Sequence, residues 1–145
     1  MKLNNRGFSL VELAIALGLV ALLVSVVSAG SGMMAKSRTH REMEAVNVIF
    51  TAAQNYLSAQ NLTYSGISFD DLKTKGFLPQ NFDPVKTNSF GGDYKISENT
   101  GDSTKVDIAL GNIPETAGTE LTNVFKSRAE ATTYDKSGKV WTATF

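Results

Sequence analysis

The 145-residue chain offers little to a catalyst. It has no cysteine and a single histidine, His40, set among charged residues in "KSRTHRE" with no nucleophile beside it. Disulfides, thiolate chemistry and the usual nucleophile–base pairs are excluded or nearly so. Neither an enzyme, a cofactor nor a resident metal is expected. The chemically unusual residue is Glu12. Between Phe8 and Ala29 the chain is apolar apart from Glu12 and the serines Ser9, Ser25 and Ser28. An ionised carboxylate at mid-bilayer costs on the order of 3 kcal/mol or more, so an incidental glutamate is a poor explanation. Its useful chemistry would be pairing. In an apolar setting an unpaired carboxylate is costly and a paired one is directional, which makes it a register pin.

The element that must position Glu12 is a helix. Residues 8–29 would span roughly 33 Å, enough for a hydrocarbon core of about 30 Å. Lys2 and Arg6 precede the run and favour a cytoplasmic N-terminus, although Lys36, Arg38 and Arg41 follow it and weaken that bias. Two plain readings exist. One is a secretory signal peptide, with "VSAG" at 27–30 supplying small residues for cleavage after Ala29, releasing a soluble binding protein. The other is a simple anchor.

A third reading starts from "RGFSLVEL", residues 6–13: a basic leader ending in glycine, then phenylalanine, then glutamate at the fifth position after the glycine. This resembles the type IV prepilin signature. The resemblance implies cleavage by a prepilin peptidase between Gly7 and Phe8 and methylation of the new Phe8 amine. It also implies a leader at 1–7, a transmembrane and assembly helix at 8–35, and a globular head at 36–145. Such a subunit would be a single-pass precursor in the bacterial cytoplasmic membrane. It would then join a helical homo-oligomeric filament through its assembly platform and end in an extracellular pilus. A minor pilin or a type II secretion pseudopilin shares these marks.

Glu12 fits that chemistry. Cleavage exposes a positive amine at a helix N-terminus, where the macrodipole is already positive. A carboxylate four residues on can reach its own chain's amine, since i and i+4 share a face. It can equally meet the amine of a neighbouring subunit. Spacing leaves both open, and the resemblance favours the neighbour.

Beyond the apolar run no proline interrupts residues 8–60, and Met43, Val46, Phe50, Ala53 and Leu57 recur at three- and four-residue spacing, with Ile49 and Tyr56 beside them. One helix is therefore predicted to run on to near Asn61, with Gly30 and Gly32 as its weak point and a candidate bend on filament entry. Ser68 and Asp71 form a capping-box pattern, and Gly76 a stop, around a short helix at Phe69–Lys75. "DYKIS" and "KVDIALG" alternate in period two and read as strands joined by an "ENTGDS" loop. "PETAGTELTNVFKSR" reads as a helix carrying Leu121, Val124 and Phe125. The last residues read as a hairpin turning at Lys136–Gly138, with Trp141, Ala143 and Phe145 on one face. The expected fold is α+β, the long helix packed on a roughly four-stranded antiparallel sheet.

That order also resembles a pilin head. "GFLP" and "NSFGGDYKI" are similar to type IVb-like or conjugative pilins, whereas the short leader and mature phenylalanine are type IVa-like. Such heads commonly close a C-terminal loop with a cysteine pair, which this chain lacks, so its loop must be held by packing or hydrogen bonds. Glu98, Asn99 and Asp102 could offer oxygens to calcium, but their spacing matches no EF-hand and a solvated hairpin tip is expected. Lys36, Arg38, His40 and Arg41 suit lipid headgroups better than DNA. Formal charge is zero, and loss of Lys2 and Arg6 lowers the basic count from 14 to 12 against 14 acidic residues, so no dedicated nucleic-acid site is expected.

Overall fold

The computed structural model describes residues 10–59 and 62–145. The chain divides into two compact units, Met1–Ala35 and Lys36–Phe145. Helix α1 (Leu10–Ala59) is helical through Gly30 and Gly32. In the second unit it is followed by α2 (Phe69–Thr74), β1 (Tyr94–Asn99), β2 (Asp102–Leu110), α3 (Glu115–Phe125), β3 (Ala131–Asp135) and β4 (Val140–Thr144).

The four strands form one antiparallel sheet in the order β1-β2-β4-β3. β4 thus inserts between β2 and its own hairpin partner β3. Register places Tyr94 opposite Leu110, Ile96 opposite Ile108, Leu110 opposite Trp141 and Ile108 opposite Ala143. These residues point to one face, as the period-two alternation predicts. The other face carries Lys95, Ser97, Asp107, Thr142 and Thr144, and stays largely solvated, as antiparallel sheets permit.

The core lies between the inner face of the sheet and two helices. From α1 it takes Val46, Ile49, Ala52, Ala53 and Tyr56, all buried. This stripe is turned from the expected one: Met43, Phe50 and Leu57 only flank it. Ala52 and Ala53 explain the offset, because two small adjacent residues let the helix backbone lie close to its neighbours. Phe50 still packs, stacking on Phe145 at a centroid distance of 4.2 Å. α3 buries Ala117, Gly118, Leu121 and Phe125, with Phe125 against Trp141, whereas Val124 is exposed. Gly118 is required by its neighbour: a Cβ there would stand 2.5 Å from the Tyr134 ring.

Local signals set the short elements. Ser68 caps α2, its hydroxyl accepting from the Asp71 amide at 3.1 Å and donating to the Asp71 carboxylate at 2.6 Å. Gly76, at φ 75°, reverses the chain after α2, and the amides of Phe77 and Leu78 both donate to the Leu72 carbonyl. The "ENTGDS" stretch is mostly strand rather than loop. Only Thr100 and Gly101 separate β1 from β2, with a register shift at Glu98/Asn99.

Candidate functional site

Gly7 and Phe8, the predicted cleavage and methylation site, lie outside the described residues. Glu12 is a residue of α1, but its side chain is also outside them. Among the described residues no helix is long and apolar enough to cross a membrane. Of the apolar run 8–29, only Ala14, Leu17 and Ala21 have described side chains, and all three are exposed.

The head contains a carboxylate away from water, one that sequence reasoning missed. Glu42 of α1 is 1% exposed. Its two oxygens accept from the Ser89 amide at 2.6 Å and from the Tyr94 hydroxyl at 2.7 Å. Burial first, and then the adjacent Glu42 carboxylate, push the Tyr94 phenol far above its ordinary value of 10.0, so it remains a neutral donor. The contact pins the loop before β1 to the first turns of the head's helix. That loop is ordered from within by buried Asn88. Its side-chain oxygen accepts from the amides of Phe90 and Gly92, and its Nδ2 donates to the Gly111 carbonyl at 2.7 Å. Gly92 has no room for a side chain, since a Cβ would fall 2.0 Å from the Gly111 oxygen. One signal for Glu42 was present in the sequence: it lies four residues before Val46 and seven before Ile49, on the buried stripe itself.

The hairpin tip considered for calcium is occupied by protein partners. Asp102 accepts from the Thr104 hydroxyl and amide and sits 3.2 Å from Lys105. Those contacts, led by the Thr104 hydroxyl, hold its carboxyl below the ordinary 3.8. Asn99 donates to both Asp107 oxygens, and its own oxygen accepts from the Gly101 amide. Among the described residues no group of three or more His, Cys, Asp or Glu could hold a metal. Lys36, Arg38, His40 and Arg41 are all exposed on the arc of α1 that Thr39 and Glu42 leave free. His40 meets Glu44 one turn on, at 3.5 Å.

Residues 2–28 match the family model described as the prokaryotic N-terminal methylation motif, the type IV prepilin leader signature. The matched segment contains Gly7, Phe8 and Glu12 and stops before the head. The motif is of the type IV pilin-like or pseudopilin kind and suggests a structural protein. No curated protein and no solved structure matches the chain. The α+β architecture of the head, a long helix on a four-stranded antiparallel sheet, is pilin-like.

Proposed function

We propose that the chain is the structural subunit of a type IV pilus-like filament, with a minor pilin or type II secretion pseudopilin as the alternative role. Prepilin peptidase cuts between Gly7 and Phe8, and the Phe8 amine is methylated. The subunit waits in the cytoplasmic membrane through residues 8–35 with its head, 36–145, outside. It polymerises by burying those helices against one another. Glu12 offsets the new ammonium and the helix dipole at the terminus, so a correctly stepped neighbour is favoured over a misplaced one. The assembly platform supplies the pull that takes it out of the membrane.

The observation that carries this reading is the prepilin leader signature at 2–28, with glycine, phenylalanine and glutamate in register. A head in which the continuation of the same helix underlies an antiparallel sheet supports it. The test is the mass of the mature N-terminus. A methylated Phe8 start is expected from cells holding a prepilin peptidase. A Gly30 start would mean signal-peptide cleavage and would end the proposal. Loss of long surface filaments on deletion separates the major pilin from the pseudopilin role.

A further inference from the structure

The head has two ends, and they differ in how their charges are used. Glu42 is level with Tyr94, Phe50 with Phe145, and the Tyr64 amide donates to the Ser103 carbonyl beyond the end of α1. Tyr94, Leu110 and the β3–β4 turn therefore mark the end where α1 enters the head, its base. The Glu98–Ser103 turn marks the far end. At the far end Lys105 is tied to Asp102 at 3.2 Å and to Glu130 at 2.8 Å.

The base has one such pair, Lys136 with Glu115, and six further cations besides. Lys36, Arg38 and Arg41 are exposed on α1, and Lys86, Lys95 and Lys139 are exposed on the loops and strand that meet there. Among the described residues none of these six has a carboxylate within ion-pair distance. The carboxylates of the same end make contacts of their own, which leave their charge in place. Glu42 is sealed in the core, Glu44 faces His40, and Asp83 and Asp93 accept from the amides of Val85 and Lys86. Lys86 and Lys95 share the rim of one open concavity of about 310 Å³ with Gly91, Gly92, Asn112 and one carboxylate, Asp93.

Backbone conformation gives an independent sign. Lys86 and Lys139 hold φ of 54° and 52°, the left-handed region that favours glycine. A lysine at either place works against the local backbone, and neither side chain has an acidic partner to compensate within the head.

We infer that the base of the head is a docking surface for the phosphates of anionic phospholipids, seating the subunit on the membrane before it is drawn into a filament. This rests on the membrane reading given above. The partner follows from charge complementarity and continuity: the cations stand at the end where the helix leading back to the apolar run leaves the head. Lysines near an anionic bilayer add to binding one by one and are screened by salt.

The test uses the full-length chain in vesicles. Because the sequence has no cysteine, Val85→Cys at the base and Thr100→Cys at the far end each accept one fluorescent label. Quenching by a headgroup-labelled lipid then reports contact with the bilayer surface. In vesicles containing phosphatidylglycerol the label at 85 should be quenched and the label at 100 should not. In pure phosphatidylcholine, or in high salt, neither should be. Adding Lys86→Gly and Lys139→Gly should weaken docking about thirtyfold. The thermal midpoint of the head should be unchanged or higher, because glycine relaxes both turns. Equal quenching at 85 in neutral and anionic vesicles would overturn the inference. So would a double glycine variant that docks normally, or one whose head is destabilised. Failure of the chain to float with vesicles of either kind would instead remove the membrane reading beneath it.

Discussion

The apolar run and the head each set a glutamate among apolar residues, Glu12 among its sequence neighbours and Glu42 in the packed core. They meet the same difficulty with different means. Glu42 finds its donors inside the fold, the Ser89 amide and the Tyr94 hydroxyl, both neutral and both fixed by the loop they belong to. Its carboxylate closes a tertiary contact and asks for nothing outside the head. Glu12 has no donor side chain near it in sequence except Ser9. Under the proposed function, the group it suits is the ammonium that leader removal would create. A carboxylate with built-in donors serves stability, whereas one without them is a demand on another group. In the function proposed above that demand is what assembly uses, so Glu12 and Glu42 would serve unlike purposes on one helix.

The sharpest way to break this contrast is Glu12→Val. The substitution removes the demand and makes the run more apolar, so membrane insertion and processing should persist. Polymerisation should fall to near nothing, read as the loss of sheared surface filaments at unchanged membrane levels of subunit. Thermal unfolding of the head should not move. A variant that formed filaments at the parental level would show that Glu12 does not act through pairing.

Glu42→Ala should do the reverse. It leaves the Ser89 amide and Tyr94 hydroxyl without acceptors and opens a void, together worth about 3 kcal/mol. For a head of this size the midpoint should drop by about 10 °C, followed by the fluorescence of buried Trp141 in detergent-solubilised chain. Insertion and leader cleavage should be untouched. Glu42→Gln keeps a carbonyl acceptor and should lose less. An alanine variant as stable as the parent would mean that desolvating the carboxylate already offsets what its hydrogen bonds contribute.

Much of this was legible in the sequence because it is local. The Ser68–Asp71 cap, the reversal at Gly76 and the alternation of Val106, Ile108 and Leu110 are each set by near neighbours, and each is where the sequence pattern placed it. What was missed is non-local. Nothing near β4 says that it will lie beside β2, a partner more than thirty residues earlier, rather than beside β3 alone. Nor does apolar character alone choose the buried face of α3: Val124 is exposed, while Gly118 under the Tyr134 ring brings the other face to the sheet. The spacing of Glu42 from Val46 and Ile49 puts it on the inner stripe, but its two donors, on Ser89 and Tyr94, lie more than forty residues away, which no local pattern shows.

The finest test of the contrast concerns the donor rather than the acceptor. Tyr94→Phe keeps the ring and removes the hydroxyl, leaving Glu42 with the Ser89 amide alone, and should cost about 1.5–2 kcal/mol at neutral pH. Its pH dependence carries more information. The unfolded phenol titrates near 10.0 and the folded one well above, so the folded state holds its proton more tightly. Stability from this group is therefore complete below pH 10 and declines as pH rises beyond it. Tyr56 and Tyr64, raised by burial as well, set a background decline that remains in the variant. Chemical unfolding between pH 9 and 11.5 should thus show the parent losing stability more steeply than Tyr94→Phe, the two curves converging toward the alkaline end. Parallel curves would mean that the Tyr94 hydroxyl ionises in the folded head as freely as in water, and that Glu42 is not held by a neutral donor after all.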